Sequence, residues 1–414
     1  MRTLKSIVLI VLVAIIGFVS YAYHRDRQAT LEHGTVDGPL LLAGSVVERG
    51  RYLAAAADCK ACHTSPGGAE YAGGVAFQLP FGTIYSSNLT ADPETGIGGW
   101  TDDEFVAAVR SGRGRGGKHL YPAHPYTTYA GMARNDVLAI KAYLDSLEPI
   151  KNAVPSAALS FPYSQRGLMV LWNAFYQPAT GFRPDGMHDA AWNRGAYLAD
   201  ALGHCGECHT PRTVAYALNR SRRYTGAITR GWKAYDISAT GLATWTSADL
   251  DAYLATGHAH GRGSASGPMK AVVALSTSQL TADDRRALVA YLLAGRSGEA
   301  VADAPAHSVA DTASAGASLY AGACASCHTL APTAVATSYA DLAGASTVHD
   351  PIGTNLLRLL AEGSPHGFGT EIAMPAFGAA YSDAERAAIA NYVLAQWGGL
   401  KPGLTAQDAA AARH

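Results

Sequence analysis

All six cysteines of this chain fall in three copies of one pattern: Cys59-Lys60-Ala61-Cys62-His63, Cys205-Gly206-Glu207-Cys208-His209 and Cys324-Ala325-Ser326-Cys327-His328. Two thiols three positions apart share one helical turn, where both can add to the vinyl groups of a porphyrin while the adjacent imidazole reaches its iron. Paired cysteines also make zinc half-sites, dithiol redox pairs and structural disulfides. A zinc site wants two pairs within roughly 15–20 residues, and these motifs stand more than a hundred residues apart. A structural disulfide has no use for the following histidine. The pattern reads as three covalently attached c-type haems, held by Cys59, Cys62, Cys205, Cys208, Cys324 and Cys327, with His63, His209 and His328 as proximal ligands.

What stands opposite each proximal histidine decides whether the iron carries electrons or binds small molecules. Of six methionines, Met1 precedes the apolar N-terminus and Met169 and Met187 lie in a connector, which leaves Met132, Met269 and Met374. Met374 lies 46 residues beyond His328, and Met269 lies 60 beyond His209, each in a Gly- and Pro-containing loop before a closing helix. Both are expected as axial ligands. The first module departs from the pattern. Trp100-Thr101-Asp102-Asp103-Glu104-Phe105 and Trp245-Thr246-Ser247-Ala248-Asp249-Leu250 are one element in two copies, and Met269 lies 24 residues beyond Trp245. The same 24 residues from Trp100 reach His124, while Met132 lies eight further on. Bis-histidine ligation by His63 and His124 is the reading this spacing favours, with Met132 or an open iron as alternatives. A thioether favours ferrous iron and raises the potential, so the first haem is expected to be the lowest of the three. His119, His204, His258, His260, His349 and His366 have no companions at metal-ligating spacing, and His258 and His260 read as solvated surface residues.

Positioning these groups requires three similar modules. Val47-Glu48-Arg49-Gly50-Arg51-Tyr52-Leu53, Trp192-Asn193-Arg194-Gly195-Ala196-Tyr197-Leu198 and Ala315-Gly316-Ala317-Ser318-Leu319-Tyr320 read as short helices leading into the cysteines. Apolar residues at three- and four-residue spacing predict closing helices over Val137 to Leu147, Asp283 to Leu293 and Asp383 to Trp397, with polar caps and acidic first turns. The expected architecture is all-α: three tandem c-type cytochrome domains behind an N-terminal transmembrane helix. Its segments are 1–27, a membrane anchor or signal peptide; 45–150, the first cytochrome domain; 151–190, a connector; 191–295, the second domain; 296–314, a linker; and 315–400, the third. The apolar stretch Leu168-Met169-Val170-Leu171-Trp172 in the connector reads as packing between neighbouring domains rather than as a partner or lipid surface.

The chain as a whole agrees with this division. Its 414 residues suit two to four domains, and 48% hydrophobic against 16% charged residues is enough apolar material for real cores. The balance of 32 basic and 33 acidic side chains provides no footprint for a phosphate backbone, so nucleic acid is excluded as a partner. The apolar run from Ser6 to Tyr23, behind Arg2 and Lys5, is about long enough to span a bilayer. It is expected as a retained single-pass anchor at the periplasmic face of a bacterial inner membrane, with a cleaved signal peptide as the alternative.

Gly82-Thr83-Ile84-Tyr85-Ser86-Ser87-Asn88-Leu89-Thr90, the Tyr121-Pro122-Ala123 loop, Trp192 to Leu198 before Cys205, and Met374-Pro375-Ala376-Phe377-Gly378 resemble the tri-haem cytochrome c subunits of bacterial membrane-bound dehydrogenases. The likeness runs from about residue 45 to 400. It implies three haem c groups, a large catalytic subunit using pyrroloquinoline quinone, flavin or molybdenum, a small third subunit, and ubiquinone or a terminal oxidase as electron acceptor. Many members of that family carry Met where this chain has His124. No flavin or nicotinamide fingerprint is present, so a non-catalytic electron-transfer subunit is expected. Two alternatives stand beside it: the cytochrome subunit of a terminal oxidase, and a multihaem peroxidase or reductase, which needs an open first iron.

Overall fold

The computed structural model describes residues 2–31, 44–296, 312–328, 338–364 and 373–413. Most of the expected 296–314 linker, and His366, lie outside the described residues. Helices make up about 49% of the structure. The all-α expectation is corrected by three small sheets: strands Ala76–Leu79, Gly82–Tyr85 and Ala158–Leu159, and the two-stranded pairs Ala227–Thr229 with Trp232–Ala234 and His258–Ala259 with Gly263–Ser264. These strands of two to four residues are too short to register as sequence periodicity. The chain divides into two compact units, Met1–Glu207 and Cys208–His414.

In the first unit, the lead-in helix Val46–Ala56 starts at a capping box, in which the Glu48 amide donates to Ser45 Oγ at 3.2 Å and the Ser45 amide to Glu48 Oε2 at 2.8 Å. It crosses the closing helix Arg134–Asp145 so closely that a Cβ at Gly50 would lie 1.8 Å from the Ala139 carbonyl oxygen. Leu53, Val137 and Leu144 are fully buried there. The crossing also buries a charge. Asp136 has no exposure, and its two carboxylate oxygens take Arg49 and, at 2.6 Å, the Tyr197 hydroxyl. Burying a carboxylate is tolerated when it is paired and hydrogen-bonded in this way.

The expected membrane-spanning helix is also corrected. Arg2–Leu31 is one 30-residue helix, but no helix among the described residues is long and apolar enough to cross a membrane. Charges follow its apolar run from His24 to Arg27. Its later turns are engaged in packing: Ala22 is fully buried, the Phe18 ring lies 5.0 Å from Phe175, and Arg25 donates to the carbonyls of Ala174 and Gln177 at 2.6 and 2.9 Å. The expected localisation by a single-pass anchor falls with it. The apolar connector stretch is the start of helix Met169–Tyr176, the partner of that packing.

In the second unit, helix Ser247–Thr256 packs against the closing helix Ala282–Leu292. Helix Ala315–Ala323 crosses Asp383–Gly398 at Gly316, whose Cβ would come within 2.2 Å of the Ala388 carbonyl oxygen. This repeats the crossing at Gly50. The Tyr320 ring sits 5.1 Å from Tyr392 and 5.2 Å from Trp397 in the core beneath the third motif.

Candidate functional site

Each motif is delivered by a tight turn of chain. Cys59–His63 forms a short helix, and Gly206–His209 forms its counterpart. The third motif makes a single turn in which the His328 amide donates to the Cys324 carbonyl at 2.8 Å. Asp58 and His204, immediately before the first two motifs, adopt left-handed backbone with φ of 53° and 43°. That is uncommon for a side-chain-bearing residue, and it redirects the chain from the lead-in helix into the cysteines.

None of the six cysteines is bridged to another. Among the described residues no group of three or more His, Cys, Asp and Glu side chains gathers as a metal site. The histidines tell more. His63 Nδ1 lies 2.7 Å from the Ser87 carbonyl oxygen, His209 Nδ1 lies 2.6 Å from that of Tyr235, and His328 Nδ1 lies 2.6 Å from that of Ala340. A carbonyl only accepts, so Nδ1 carries the proton in each ring and the lone pair stands on Nε2, free for a metal. Burial pushes all three imidazoles down from their ordinary pKa and keeps them neutral, the form that ligates.

The first two modules build this arrangement from the same bonds. The His63 carbonyl accepts the Gly73 amide at 2.8 Å and the His209 carbonyl accepts that of Gly226 at 2.9 Å. The Tyr71 amide donates to Thr64 Oγ1 at 3.0 Å and the Tyr224 amide to Thr210 Oγ1 at 3.1 Å. Leu89 and Ile237 then donate to the carbonyls of Tyr71 and Tyr224 at 2.8 and 2.9 Å. The copied Trp elements open helices Asp102–Ser111 and Ser247–Thr256, each with a capping box and a left-handed Gly at its end, Gly112 and Gly257. The next crossing repeats as well, Leu120 amide to Gly112 carbonyl and Ala265 amide to Gly257 carbonyl, both at 2.7 Å. His124 and Met269 each stand four residues beyond that bond.

His124 is half-buried, and its imidazole is pushed down to about 3, by desolvation first and then by the charge His63 would carry; the carbonyls of Ala108 and Val109 oppose the shift. His63 thus lies within electrostatic reach of His124. The Tyr129 ring stands 5.5 Å from His124 and its hydroxyl donates to the Ala57 carbonyl at 2.8 Å. Met132 is 1% exposed and packs in the core. Met269 differs from its expected loop: it sits in the first turn of helix Gly267–Leu275, behind Pro268, and is half-buried. Proline pre-sets the backbone of a first turn, so the Gly-Pro pair that reads as a loop begins a helix instead. Met374 is half-buried in a bridge with Ser364, the amides and carbonyls exchanging bonds of 2.9 and 3.0 Å.

His258 is corrected from a solvated residue: it is half-buried, stacked 4.2 Å from Tyr339, with Nδ1 3.0 Å from Ser264 Oγ. The three carbonyl partners escaped sequence reasoning because a carbonyl carries no residue signature. For the first two modules the signal lay in the copied glycines, Gly73 and Gly226, whose amides bind the His63 and His209 carbonyls. Unbridged thiol pairs, neutral imidazoles with Nε2 open, and a second imidazole or a thioether placed by the same fold elements are a donor set that fits covalently attached haem.

Known proteins agree with that chemistry. Residues 47–148 match the family model for cytochrome c, and residues 311–393 match that for cytochrome c oxidase, cbb3-type, subunit III. The gluconate 2-dehydrogenase cytochrome c subunit of Pantoea cypripedii is 34% identical over 97% of this chain and 94% of its own length. The fructose dehydrogenase cytochrome subunit of Gluconobacter japonicus is 36% identical, over 85% of this chain and 79% of its own. A nicotinate dehydrogenase subunit of Pseudomonas putida is 40% identical over 87% of this chain, but the chain spans only 31% of that protein's length.

Proposed function

The chain belongs to the family of cytochrome c subunits of dehydrogenases, and from that premise we propose how its residues divide the work of moving electrons. It binds haem c covalently and serves electron transfer in a dehydrogenase complex, with a catalytic dehydrogenase subunit as its partner. Bound haem supplies one-electron redox chemistry that no side chain here could supply. In our reading there are three such groups, at Cys59 and Cys62, Cys205 and Cys208, and Cys324 and Cys327, in domains spanning 45–150, 191–295 and 315–400.

His63 with His124, His209 with Met269, and His328 with Met374 are the residues that would hold the three irons. The observation that carries this assignment is the repeated Nδ1–H bond to a backbone carbonyl, at 2.7, 2.6 and 2.6 Å. Such a bond fixes the ring and raises the basicity of the ligating nitrogen. With both faces of each iron taken, no position is left for substrate, and the chain carries electrons rather than transforming a molecule. His124 in place of a thioether makes the first haem the lowest in potential. Electrons enter from a catalytic subunit that uses pyrroloquinoline quinone, flavin or molybdenum and leave to ubiquinone or a terminal oxidase, with a small third subunit completing the complex.

The test is mass and magnetic spectroscopy of the purified protein. Three haem additions and three low-spin irons, one bis-histidine and two histidine-methionine, are expected; two additions, or a high-spin iron in the untreated protein, would sink the assignment. The match to an oxidase subunit model favours a second reading, the cytochrome of a terminal oxidase, but it covers only residues 311–393. The dehydrogenase relatives cover up to 97% of the chain.

A further inference from the structure

The second motif's histidine is held by a carbonyl whose strand is finished by a side chain from far along the chain. His209 Nδ1–H donates to the Tyr235 carbonyl at 2.6 Å. Tyr235 directly follows the strand Trp232–Ala234, which pairs with Ala227–Thr229 in the register Ala227 to Ala234, Ile228 to Lys233 and Thr229 to Trp232. That pairing uses one edge of the strand and leaves the other edge bare.

The first module closes the same edge with chain from its own connector. Gly82–Tyr85 pairs on its outer side with Ala158–Leu159, in the register Gly82 to Leu159 and Thr83 to Ala158. Among the described residues no third strand pairs there in the second module. In its place stands Asn355, whose Oδ1 accepts the Lys233 amide at 2.8 Å and whose Nδ2 donates to the Lys233 carbonyl at 2.9 Å. One carboxamide thus makes both bonds that a neighbouring strand would make to that residue.

Three further contacts fasten the same place. Lys233 Nζ pairs with Asp350 Oδ1 at 2.7 Å, and the Asp350 side chain is 1% exposed. Arg358 stacks 5.3 Å over the Trp232 ring. The side chains of Thr347 and Asn355 flank the Tyr235 hydroxyl. Asn355 is itself buried, at 4% exposure, in the first turn of helix Thr354–Glu362 beyond the third motif. A buried side chain with both amide groups committed to a remote backbone is positioned at high cost unless the position matters.

We infer that Asn355, backed by Asp350, is a positioning residue for the second haem: through Lys233 and the Tyr235 carbonyl, the third module sets the orientation and basicity of His209. This rests on His209 being an iron ligand, as proposed above. Loosening the strand weakens the Nδ1–H bond, makes the imidazole a poorer donor to ferric iron and raises the potential of that haem alone.

The experiment is a spectrally resolved redox titration of the full haem-loaded protein, alongside the hyperfine-shifted proton resonances of the oxidised form. Asn355→Leu keeps the size and removes both bonds; Asp350→Asn removes only the ion pair and guards against a variant that fails to fold. The expected result is an upward shift of the second haem's midpoint in both variants, larger for Asn355→Leu, together with a displaced His209 resonance and unchanged first and third haems. An unmoved second haem in both variants, or an equal shift of all three, overturns the inference. The parent protein separates this from the underlying assignment: a parent without a histidine-methionine second haem defeats the ligand assignment itself, whereas an intact second haem that ignores both substitutions defeats only the positioning role.

Discussion

At the scale of single residues, His124 and Met132 separate cleanly. On the ligand set proposed above, removing the His124 imidazole opens the first iron, so His124→Ala is expected to turn one haem high-spin and able to bind carbon monoxide. His124→Met is expected to raise that haem's potential, by on the order of a hundred millivolts within the roughly 0.8 V range open to axial ligands. Met132→Ala is expected to leave the spectrum alone and cost about 2–5 kcal/mol of stability, because Met132 fills a fully buried position; chemical denaturation with optical spectra checks both halves. Asp58 adds a pH dependence. Its carboxyl is pushed up to about 7 by burial, and Oδ1 has no hydrogen-bond partner among the described residues. The folded value lies above the ordinary one, so the folded state favours the protonated acid. The contribution is full at pH below the ordinary carboxylate range and is lost as pH rises from there through 7. Melting midpoints are expected to fall between about pH 4 and pH 7, and Asp58→Asn to flatten that slope.

At the scale of elements, the helix crossings at Gly50 and Gly316 are the points of closest approach, with an added Cβ placed 1.8 and 2.2 Å from a carbonyl oxygen. Neither helix can yield without moving its partner, so Gly50→Ala and Gly316→Ala are each expected to cost at least about 1–3 kcal/mol, read as a lowered melting midpoint with haem content unchanged. Much of this layer was legible in the residues. Closing helices expected from Val137, Asp283 and Asp383 run as Arg134–Asp145, Ala282–Leu292 and Asp383–Gly398, because an amphipathic stripe and a cap are both local signals. The copied Trp elements were legible for the same reason, and they open the matching helices Asp102–Ser111 and Ser247–Thr256. The hairpins were not: strands of two to four residues are stabilised by the loops and side chains packed on them, as Trp232–Ala234 is by Asn355 from more than a hundred residues away. The first helix departs as well: its apolar run reads as a bilayer span, whereas no helix among the described residues is long and apolar enough to cross a membrane, and its later turns bring Phe18 and Arg25 against helix Met169–Tyr176.

At the scale of the whole molecule, a cytochrome c subunit of a dehydrogenase complex has a use only between a donor and an acceptor. The most direct test of this account is to isolate the protein from its native source in mild detergent by its haem absorbance, identify the polypeptides that accompany it, and add the companion's substrate while watching the haem bands. The expected result is a large dehydrogenase subunit carrying an organic or molybdenum cofactor, whose substrate reduces the haems and does so only while the two remain bound. A chain that purifies without such a subunit and turns over peroxide or another small oxidant by itself would contradict the account.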